Sequence, residues 1–281
     1  MTRELTSLDH LRSQIAAWRS NGKAIGFVPT MGALHAGHLA LVDAARAQSE
    51  RVVVSIFVNP TQFAPHEDFS RYPRPLAEDM ARLRDAGVDA AWLPDTALMY
   101  PEGFATQITL DAVTEPLEGA HRPGHFAGVA TVVAKLLNQV QPDLAFFGEK
   151  DYQQLLAIRQ LVRDLDVPVQ VVGVPTLREA DGLAMSSRNQ YLSPQEREVA
   201  AELYAALQTA RAALREGSDA ATVLTNAQDA LLSAGFRAID YLALADADTL
   251  TPLERWQPGQ NARLLAAAHL GTTRLIDNLA V

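Results

Sequence analysis

The sequence predicts an α/β protein with a Rossmann-like parallel sheet in its N-terminal domain and a smaller α+β C-terminal domain. Up to about residue 176, apolar β-branched runs alternate with helical segments, which is typical of parallel strands buried on both faces. Beyond that point, helical segments come first and strand-like segments follow without strict alternation. The chain has 281 residues, of which 48% are hydrophobic, so it can bury the core of one large domain or two modest ones.

The elements of the N-terminal domain follow from local patterns. The run RVVVSIFV is apolar on both faces, as a central parallel strand is, and one helix has Pro75 near its start and Gly87 just past its end. The predicted strands are Ala24–Val28, Arg51–Val58, Asp89–Pro94, Asp143–Gly148 and Val167–Pro175. The predicted helices are Leu39–Gln48, Pro75–Ala86, Ala127–Gln139 and Gln153–Asp164.

The C-terminal domain is predicted to begin with helices. The stretch SPQE, Ser193–Glu196, is typical of a helix start with a capping box, and the Ala-rich pattern after it continues to about Arg215. A second helix is predicted from about Ala220 to Ala234, closed by Gly235, and the segments IDYLALAD, ARLLAAAHL and TRLIDN are predicted strands. We predict domains over 1–176 and 177–281, with a boundary that composition defines only to within residues 176–190.

Net charge, cysteine content and the distribution of apolar residues argue against several classes of protein. A formal net charge of -9 argues against a general nucleic-acid binder, which needs a basic surface. The absence of cysteine excludes disulfides, thiolate metal sites and cysteine nucleophiles. The N-terminus does not resemble a signal peptide, and no window has the roughly 18 apolar residues of a membrane span. We therefore expect a soluble cytoplasmic protein with small-molecule partners, which binds neither nucleic acid nor a membrane.

A loop with two histidines joins the first predicted strand to a helix. The stretch FVPTMGALHAGHLALV places His35 and His38 three residues apart, with Gly32 and Gly37 beside them. A helix N-terminus offers free backbone N–H groups and a partial positive charge, so both histidines could donate hydrogen bonds to one bound phosphate. The alternative is a helix start with one structural and one solvated histidine. A metal site lacks a well-placed third ligand.

Three further segments carry candidate ligand-binding residues. NPTQF places Asn59 and Gln62 after a buried strand, although a plain Asn-Pro turn would look the same. FFGEKDYQQ offers Gly148, Lys150, Asp151 and Gln154, or merely a surface loop before a capped helix. READGLAMSSRN combines an Asp-Gly turn with two hydroxyls and a guanidinium, which suits phosphate. There is neither a Walker A motif nor a GxGxxG motif, so the set favours transfer at the α-phosphate of a nucleoside triphosphate.

Two other segments give weaker signals. The polar stretch EGAHRPGHFAGVAT, Glu118–Thr131, fits either a mobile active-site loop or a plain connector. Glu78 and Asp79 are expected to be exposed helix acids, and the alternative is that they bind Mg²⁺.

Four of these motifs together resemble the pantothenate synthetase family, the pantoate–β-alanine ligases. They are PTMGALHAGHLALV, VSIFVNPTQF, FFGEKDYQQ and DGLAMSSRNQYL, and they occur in the family's order over nearly the whole chain. The histidine loop alone is similar to a wider superfamily of nucleotidylyltransferases, whereas the other three motifs are more specific. The resemblance implies that ATP adenylates the carboxylate of (R)-pantoate, that β-alanine then attacks the pantoyl adenylate, and that pantothenate, AMP and diphosphate result.

The resemblance also implies site residues. His38 would be the proton donor, His35 would lie beside it on the phosphates, and Lys150, Ser186, Ser187 and Arg188 would stabilise the charge that moves onto pyrophosphate. Gln62 would bind pantoate and the incoming β-alanine, Gln154 would bind pantoate, and Asn59 is the third substrate-binding candidate. The nucleotide would contact Met31, Gly32, Ala33, Leu34, His35, Ala36, Gly37, His38, Gly148, Glu149, Lys150, Asp151, Leu177, Met185, Ser186, Ser187 and Arg188.

The family further implies Mg²⁺ bound with ATP, held mostly by phosphates and water rather than by a protein cage. It implies a homodimer, and it places Arg122 in a flexible gate. Two rival functions stay open at this stage. One is a nucleotidylyltransferase that releases pyrophosphate but never AMP, and the other is a binding module that holds ATP without turnover.

Overall fold

A parallel sheet of six strands organises the N-terminal part of this computed structural model, which describes residues 2–65 and 67–281. The spatial order is β1-β4-β3-β2-β5-β6, and every neighbouring pair is parallel. The strands are β1 (Arg3–Leu5), β2 (Ile25–Thr30), β3 (Arg51–Ile56), β4 (Ala90–Trp92), β5 (Leu144–Gly148) and β6 (Gln170–Val174).

Helices alternate with these strands along the chain. They are α1 (Leu8–Arg19), α2 (Ala36–Gln48), α3 (Leu76–Asp85), α4 (Thr96–Met99), α5 (Glu118–His121), α6 (His125–Val140) and α7 (Tyr152–Asp164). All nine strands and helices predicted for this part of the chain are confirmed, with ends that shift by at most three residues. The sequence patterns did not reveal β1, α1, α4 or α5.

Successive side chains of a strand point to opposite faces of the sheet, and helices cover both faces here. Phe27 of β2 packs into one apolar cluster with Val53 and Trp92, and helices α1 and α6 contribute to the same cluster. The next residue, Val28, packs into a second cluster with residues of α2 and α3. This arrangement explains why the central strands read as unbroken apolar runs.

The chain divides into two compact units, of which Met1–Glu149 and Gln154–Pro175 form the first, and Lys150–Gln153 and Thr176–Val281 the second. The second unit contains α8 (Pro194–Ala200), α9 (Glu202–Arg215) and α10 (Ala220–Ala234). Its sheet is antiparallel, in the order β7-β8-β9, with β7 (Ala238–Asp246), β8 (Ala262–Leu270) and β9 (Thr273–Ala280). The predicted α+β class of this part is thus confirmed.

Local signals account for the helix ends of the second unit. Ser193 and Glu196 form the predicted capping box at the start of α8, and Gly235 ends α10 at a φ of 115°. The single long helix expected up to Arg215 is wrong, because it is divided at Ala201 into α8 and α9. Within the described ranges, no helix is long and apolar enough to cross a membrane.

Candidate active site

The loops that follow β2, β3 and β5 leave the carboxyl edge of the sheet. Strands β3, β2 and β5 are neighbours, and the chain proceeds from β2 to β3 on one side and returns to β5 on the other. The crevice at such a reversal of strand order is where open parallel sheets bind ligands. Met31, Phe57 and Glu149 come directly after these strands, so the first three motifs begin at one edge of the sheet.

The loop before α2 has a conformation that few residue types adopt. Gly32 lies at a φ of 82°, and a Cβ there would come within 2.9 Å of Ile56 Cγ2. Ala33 follows at a φ of 50°, which is uncommon for a residue other than glycine. The backbone N–H groups of Ala33 and Leu34 both donate to the carboxylate of Asp79, at 2.8 and 2.7 Å.

Asp79 holds this loop in place, and the prediction that it is an exposed helix acid is wrong. Its side chain is 1% exposed, whereas its neighbour Glu78 is exposed as predicted. Burial raises the pKa of Asp79, and the hydrogen bonds from Leu34 and Ala33 only partly oppose this. Because each oxygen of the carboxylate already accepts a backbone N–H, Asp79 is better suited to holding the loop than to holding a cation.

His35 and His38 form a reciprocal cap at the start of α2. His35 Nδ1 accepts the N–H of Gly37 at 3.1 Å, and His38 Nδ1 accepts the N–H of His35 at 3.3 Å. The ring centroids are 4.1 Å apart. The alternative of one structural and one solvated histidine does not hold, since both rings take part in the cap. With both Nδ1 atoms accepting, a neutral ring carries its proton on Nε2, which makes each Nε2–H a donor.

Asn59 holds the loop after β3 from the inside. It is 1% exposed, and its Oδ1 accepts from the Thr61 backbone and hydroxyl and from the Tyr100 hydroxyl. Its amide nitrogen donates to Gln62 Oε1 and to the carbonyl of Gly128, each at 3.2 Å. Both amide hydrogens are thus used within the protein. The structure favours a positioning role for Asn59, and its predicted contact with substrate stays a prediction.

Gln62 joins the loop after β3 to the histidine loop. Its amide Nε2 donates to Met31 Sδ at 3.1 Å, and its oxygen accepts from Asn59. Helix α6 approaches this loop closely, since a Cβ on Gly128 would lie 2.4 Å from the Thr61 carbonyl oxygen. The structure therefore brings together Met31, Asn59 and Gln62, three of the predicted site residues.

An ion-pair network follows on from Gln62. Arg122 donates to both carboxylate oxygens of Glu67, at 2.7 and 2.9 Å, and lies 3.5 Å from Glu118. Arg122 also lies 3.1 Å from His125 Nε2, and His125 Nδ1 lies 2.9 Å from the Gln62 carbonyl oxygen. The family resemblance implies only a place for Arg122 in a flexible gate, and no sequence pattern points to Glu67 or to a role for His125.

Strand β5 ends at Gly148, and the chain continues as a 3₁₀ turn over Glu149–Asp151. A Cβ on Gly148 would meet nothing within 4 Å, so the backbone there is accessible at close range. Gln154 lies in the first turn of α7 and is half-buried. Lys150 and Asp151 belong to the second unit, and their charged groups lie 4.0 Å apart.

The end of β9 organises two candidate segments of the second unit. Asp277 accepts hydrogen bonds from both terminal nitrogens of Arg178, at 2.6 and 2.9 Å. Arg178 is the first residue of a short hairpin that turns at Gly182. The next residue, Asn278, donates to the carbonyl of Lys150 at 2.9 Å. Asp277 and Asn278 are each 4% exposed. The sequence pattern predicts only a strand over this stretch, and it does not indicate these two contacts.

The Ser-Ser-Arg motif lies just beyond that hairpin. Met185 donates its N–H to the Leu177 carbonyl at 3.0 Å, and Ser186 caps a 3₁₀ turn by accepting the N–H of Arg188 at 3.3 Å. Ser187 is buried, at 5% exposure, while Ser186 and Arg188 are half-buried. The hydroxyl of Ser186 is therefore more accessible to a ligand than that of Ser187.

Comparison with known proteins extends the likeness over the whole chain. The family model described as Pantoate-beta-alanine ligase matches residues 3–280. The pantothenate synthetase of Rhizorhabdus wittichii is 58% identical over 275 residues, covering 98% of this chain and 97% of that protein. The pantothenate synthetase of Paramagnetospirillum magneticum is 55% identical, covering 98% and 96%.

Solved structures give the same likeness. A crystal structure of pantothenate synthetase from Thermus thermophilus superposes with a TM-score of 0.93 at 51% identity, over 99% of each chain. The pantoate–β-alanine ligase of Francisella tularensis, whose structure was solved with βγ ATP and β-alanine, has a TM-score of 0.84 at 34% identity, over 100% of this chain and 98% of that one.

Proposed function

The chain belongs to the pantoate–β-alanine ligase family, and on this premise we propose how its residues join (R)-pantoate to β-alanine. The enzyme is an ATP-dependent ligase that forms pantothenate and releases AMP and diphosphate. The observation that carries the assignment of the site is the reciprocal histidine cap at the point where the strand order reverses. A helix N-terminus at that point is suited to binding the phosphates of ATP.

The reaction needs two displacements. A carboxylate oxygen of pantoate attacks the α-phosphorus of ATP, and the bond to the bridging oxygen breaks, so that pyrophosphate leaves. The β-alanine nitrogen then attacks the acyl carbon of the adenylate and loses a proton, and AMP leaves. Water would hydrolyse the adenylate, so the site must exclude it while the intermediate is present.

His38 is proposed as the donor to the leaving pyrophosphate, with His35 on the same phosphates. The cap leaves each neutral ring with its proton on Nε2, so both rings offer a donor to an oxygen that gains negative charge. The N-terminus of α2 adds a partial positive charge without a formal one. These contributions matter most in the transition state, where the charge on the bridging oxygen is largest.

The remaining nucleotide contacts are proposals that rest on the family resemblance. Lys150, Ser186, Ser187 and Arg188 would stabilise charge on pyrophosphate. Backbone and side chains of the nucleotide cradle would come from the ranges 31–38, 148–151 and 185–188 and from Leu177. Arg188 suits this role because its planar guanidinium matches two phosphate oxygens at once.

Pantoate recognition is proposed to depend on Gln62 and Gln154. Two glutamine amides can bind hydroxyls and a carboxylate without adding charge to the site. An analogue that lacks a hydroxyl would leave a buried amide unpaired, which is the larger source of discrimination. Gln62 would also meet the incoming β-alanine.

Mg²⁺ is proposed to arrive with ATP. Among the described residues, no group of three or more His, Asp or Glu side chains could hold a metal ion. Phosphate oxygens and water would therefore supply most of its ligands, as is usual for Mg²⁺ on nucleotides, and its charge would offset that of the phosphates. A homodimer and a cytoplasmic location are further proposals from the family, and sedimentation equilibrium would test the first.

The decisive experiment is ATP–pyrophosphate exchange with pantoate present and β-alanine absent. Exchange that requires pantoate would support the adenylate mechanism, and adding β-alanine should then release AMP and pantothenate. If ATP binds but no exchange occurs with pantoate, the mechanism is wrong. A nucleotidylyltransferase with another acceptor, or a module that binds ATP without turnover, would then explain the site better.

A further inference from the structure

We propose that Glu67, Arg122 and His125 are positioning residues that hold Gln62 in the orientation in which it binds pantoate. The proposal rests on the proposed role of Gln62 and adds three residues that act through it. They form a continuous chain of hydrogen bonds, which begins at a carboxylate and ends at the backbone carbonyl of Gln62. All four residues belong to the first unit.

The contacts of His125 determine which of its nitrogens carries the proton. Arg122 Nη1 can only donate, so His125 Nε2, at 3.1 Å, must accept. The single proton of the neutral ring then lies on Nδ1 and is donated to the Gln62 carbonyl at 2.9 Å. Burial and the charge of Arg122 lower the pKa of His125 to about 4, so the ring is neutral at physiological pH.

Glu67 fixes the guanidinium that selects this tautomer. Its two oxygens accept from Arg122 Nε and Nη2, a bidentate pair with side chains that are only 17% and 15% exposed. Glu67 also accepts the N–H of Ala64 at 3.2 Å, which ties the pair to the loop that follows Gln62. Burial raises the pKa of Glu67, but the hydrogen bond and charge of Arg122 outweigh it and the net pKa is lowered. Glu67 is thus ionised when Arg122 is bound.

The result is that the backbone and the side-chain oxygen of Gln62 are both fixed. Asn59 donates to Gln62 Oε1, and His125 donates to its carbonyl. The Gln62 amide nitrogen, in contrast, donates to Met31 Sδ, and a thioether is a weak acceptor. A hydroxyl or carboxylate oxygen of a ligand could replace that sulfur as the acceptor, and the hydrogen bond would then be stronger. The network therefore sets the direction in which Gln62 presents its donor.

Two substitutions of His125 separate a positioning role from a general structural one. The amide nitrogen of His125→Asn can occupy the place of Nδ1 and donate to the Gln62 carbonyl, whereas that of His125→Gln reaches toward the place of Nε2. We expect the KM for pantoate to stay within about 2-fold in His125→Asn and to rise about 5- to 10-fold in His125→Gln, as one lost hydrogen bond predicts. The Kd for ATP should not change in either variant.

His121→Gln is the matched control, since His121 is exposed on the neighbouring helix α5. Glu67→Gln gives a second test that leaves His125 intact, and it should also raise the KM for pantoate while the Kd for ATP stays constant. A wild-type KM for pantoate in His125→Gln and Glu67→Gln would overturn the proposal. So would equal losses in pantoate KM and ATP Kd, because these would indicate general disorder of the unit.

The wild-type enzyme separates failure of this proposal from failure of the proposed function. Pantoate-dependent ATP–pyrophosphate exchange by the wild type supports that function, whatever the variants do. If the wild type exchanges and the variants behave as wild type, only the positioning role is wrong. If His125→Gln does not fold, the comparison of Glu67→Gln with wild type decides the same question.

Discussion

Replacing Asp79 with asparagine tests whether a buried carboxylate holds the histidine loop. The carboxylate accepts the N–H groups of Ala33 and Leu34 at 2.8 and 2.7 Å, where Ala33 adopts a left-handed φ of 50°. Asparagine has nearly the same shape, but its amide nitrogen cannot accept a hydrogen bond. One of the two N–H groups would therefore face another donor in a site that is 1% exposed.

The size of the effect follows from two opposing contributions. Leaving a buried donor unsatisfied costs about 1–3 kcal/mol. Burial raises the pKa of Asp79, so the ionised carboxylate is itself held at a desolvation cost, and asparagine avoids that cost. We therefore expect Asp79→Asn to lower the free energy of unfolding by about 2 kcal/mol. Loss of both charged hydrogen bonds without the relief from desolvation would lower it by more.

Urea unfolding of Asp79→Asn and Glu78→Gln measures this difference. Glu78 is the exposed neighbour on α3, so its substitution removes the same charge without touching the loop. Asp79→Asn should also weaken ATP–pyrophosphate exchange, because the loop carries both histidines. Equal unfolding midpoints for the two variants would refute the reasoning, since Asp79 would then contribute no more than a surface acid.

Three further predictions concern the histidine cap, the pantoate pocket and the buried histidine. His38→Ala should slow pantoate-dependent exchange more than it weakens ATP binding, because the donor acts mainly in the transition state, and equal losses would contradict that role. Gln62→Ala should raise the KM for pantoate and leave the Kd for ATP nearly intact, and an unchanged KM would rule out its assignment. His125 should make the protein less stable in acid, because the unfolded chain takes up a proton near pH 6.5 whereas the folded pKa is about 4. This contribution is fully present above pH 6.5 and falls by up to about 3 kcal/mol as pH drops to 4. Urea unfolding across that range should show a smaller decrease for His125→Asn, and identical profiles for the two proteins would exclude His125 as the cause.

Elements with strong local signals could be predicted from the sequence, and elements without them could not. The strands β2, β3 and β5 are apolar runs, and α10 has the predicted bounds Ala220–Ala234. Strand β1, in contrast, is three residues long, and only Leu5 of its residues is buried, so no pattern marks it. The division between α8 and α9 falls within an Ala-rich stretch that contains neither glycine nor proline. Tertiary packing rather than local propensity must decide such a break.

The candidate site was predictable where motifs follow strands, because topology alone brings the carboxyl ends of parallel strands to one edge. It was not predictable where a residue acts from a distance. Asp79 lies 45 residues beyond the loop that it holds. A signal was nevertheless present, since Asp79 lies four residues before the buried Leu83, on the apolar face of α3, whereas Glu78 does not. An acid on a buried helix face requires partners, so the apolar face of α3 predicts burial of Asp79 in spite of its charge.

The polar residues around the candidate site share one function in the fold, which is to decide how a neighbouring polar group presents its hydrogens. The backbone N–H groups of Gly37 and His35 assign the tautomers of the two cap histidines. Asn59 donates to the side-chain oxygen of Gln62, and His125 donates to its backbone carbonyl. Because each Nδ1 of the cap accepts a backbone N–H, each neutral ring donates through Nε2. A protein with a net charge of -9 can thereby offer donors to an anionic nucleotide through geometry, without a broad basic surface. Substitution of a supporting residue such as His125 should therefore change substrate affinity although the residue need not touch a ligand.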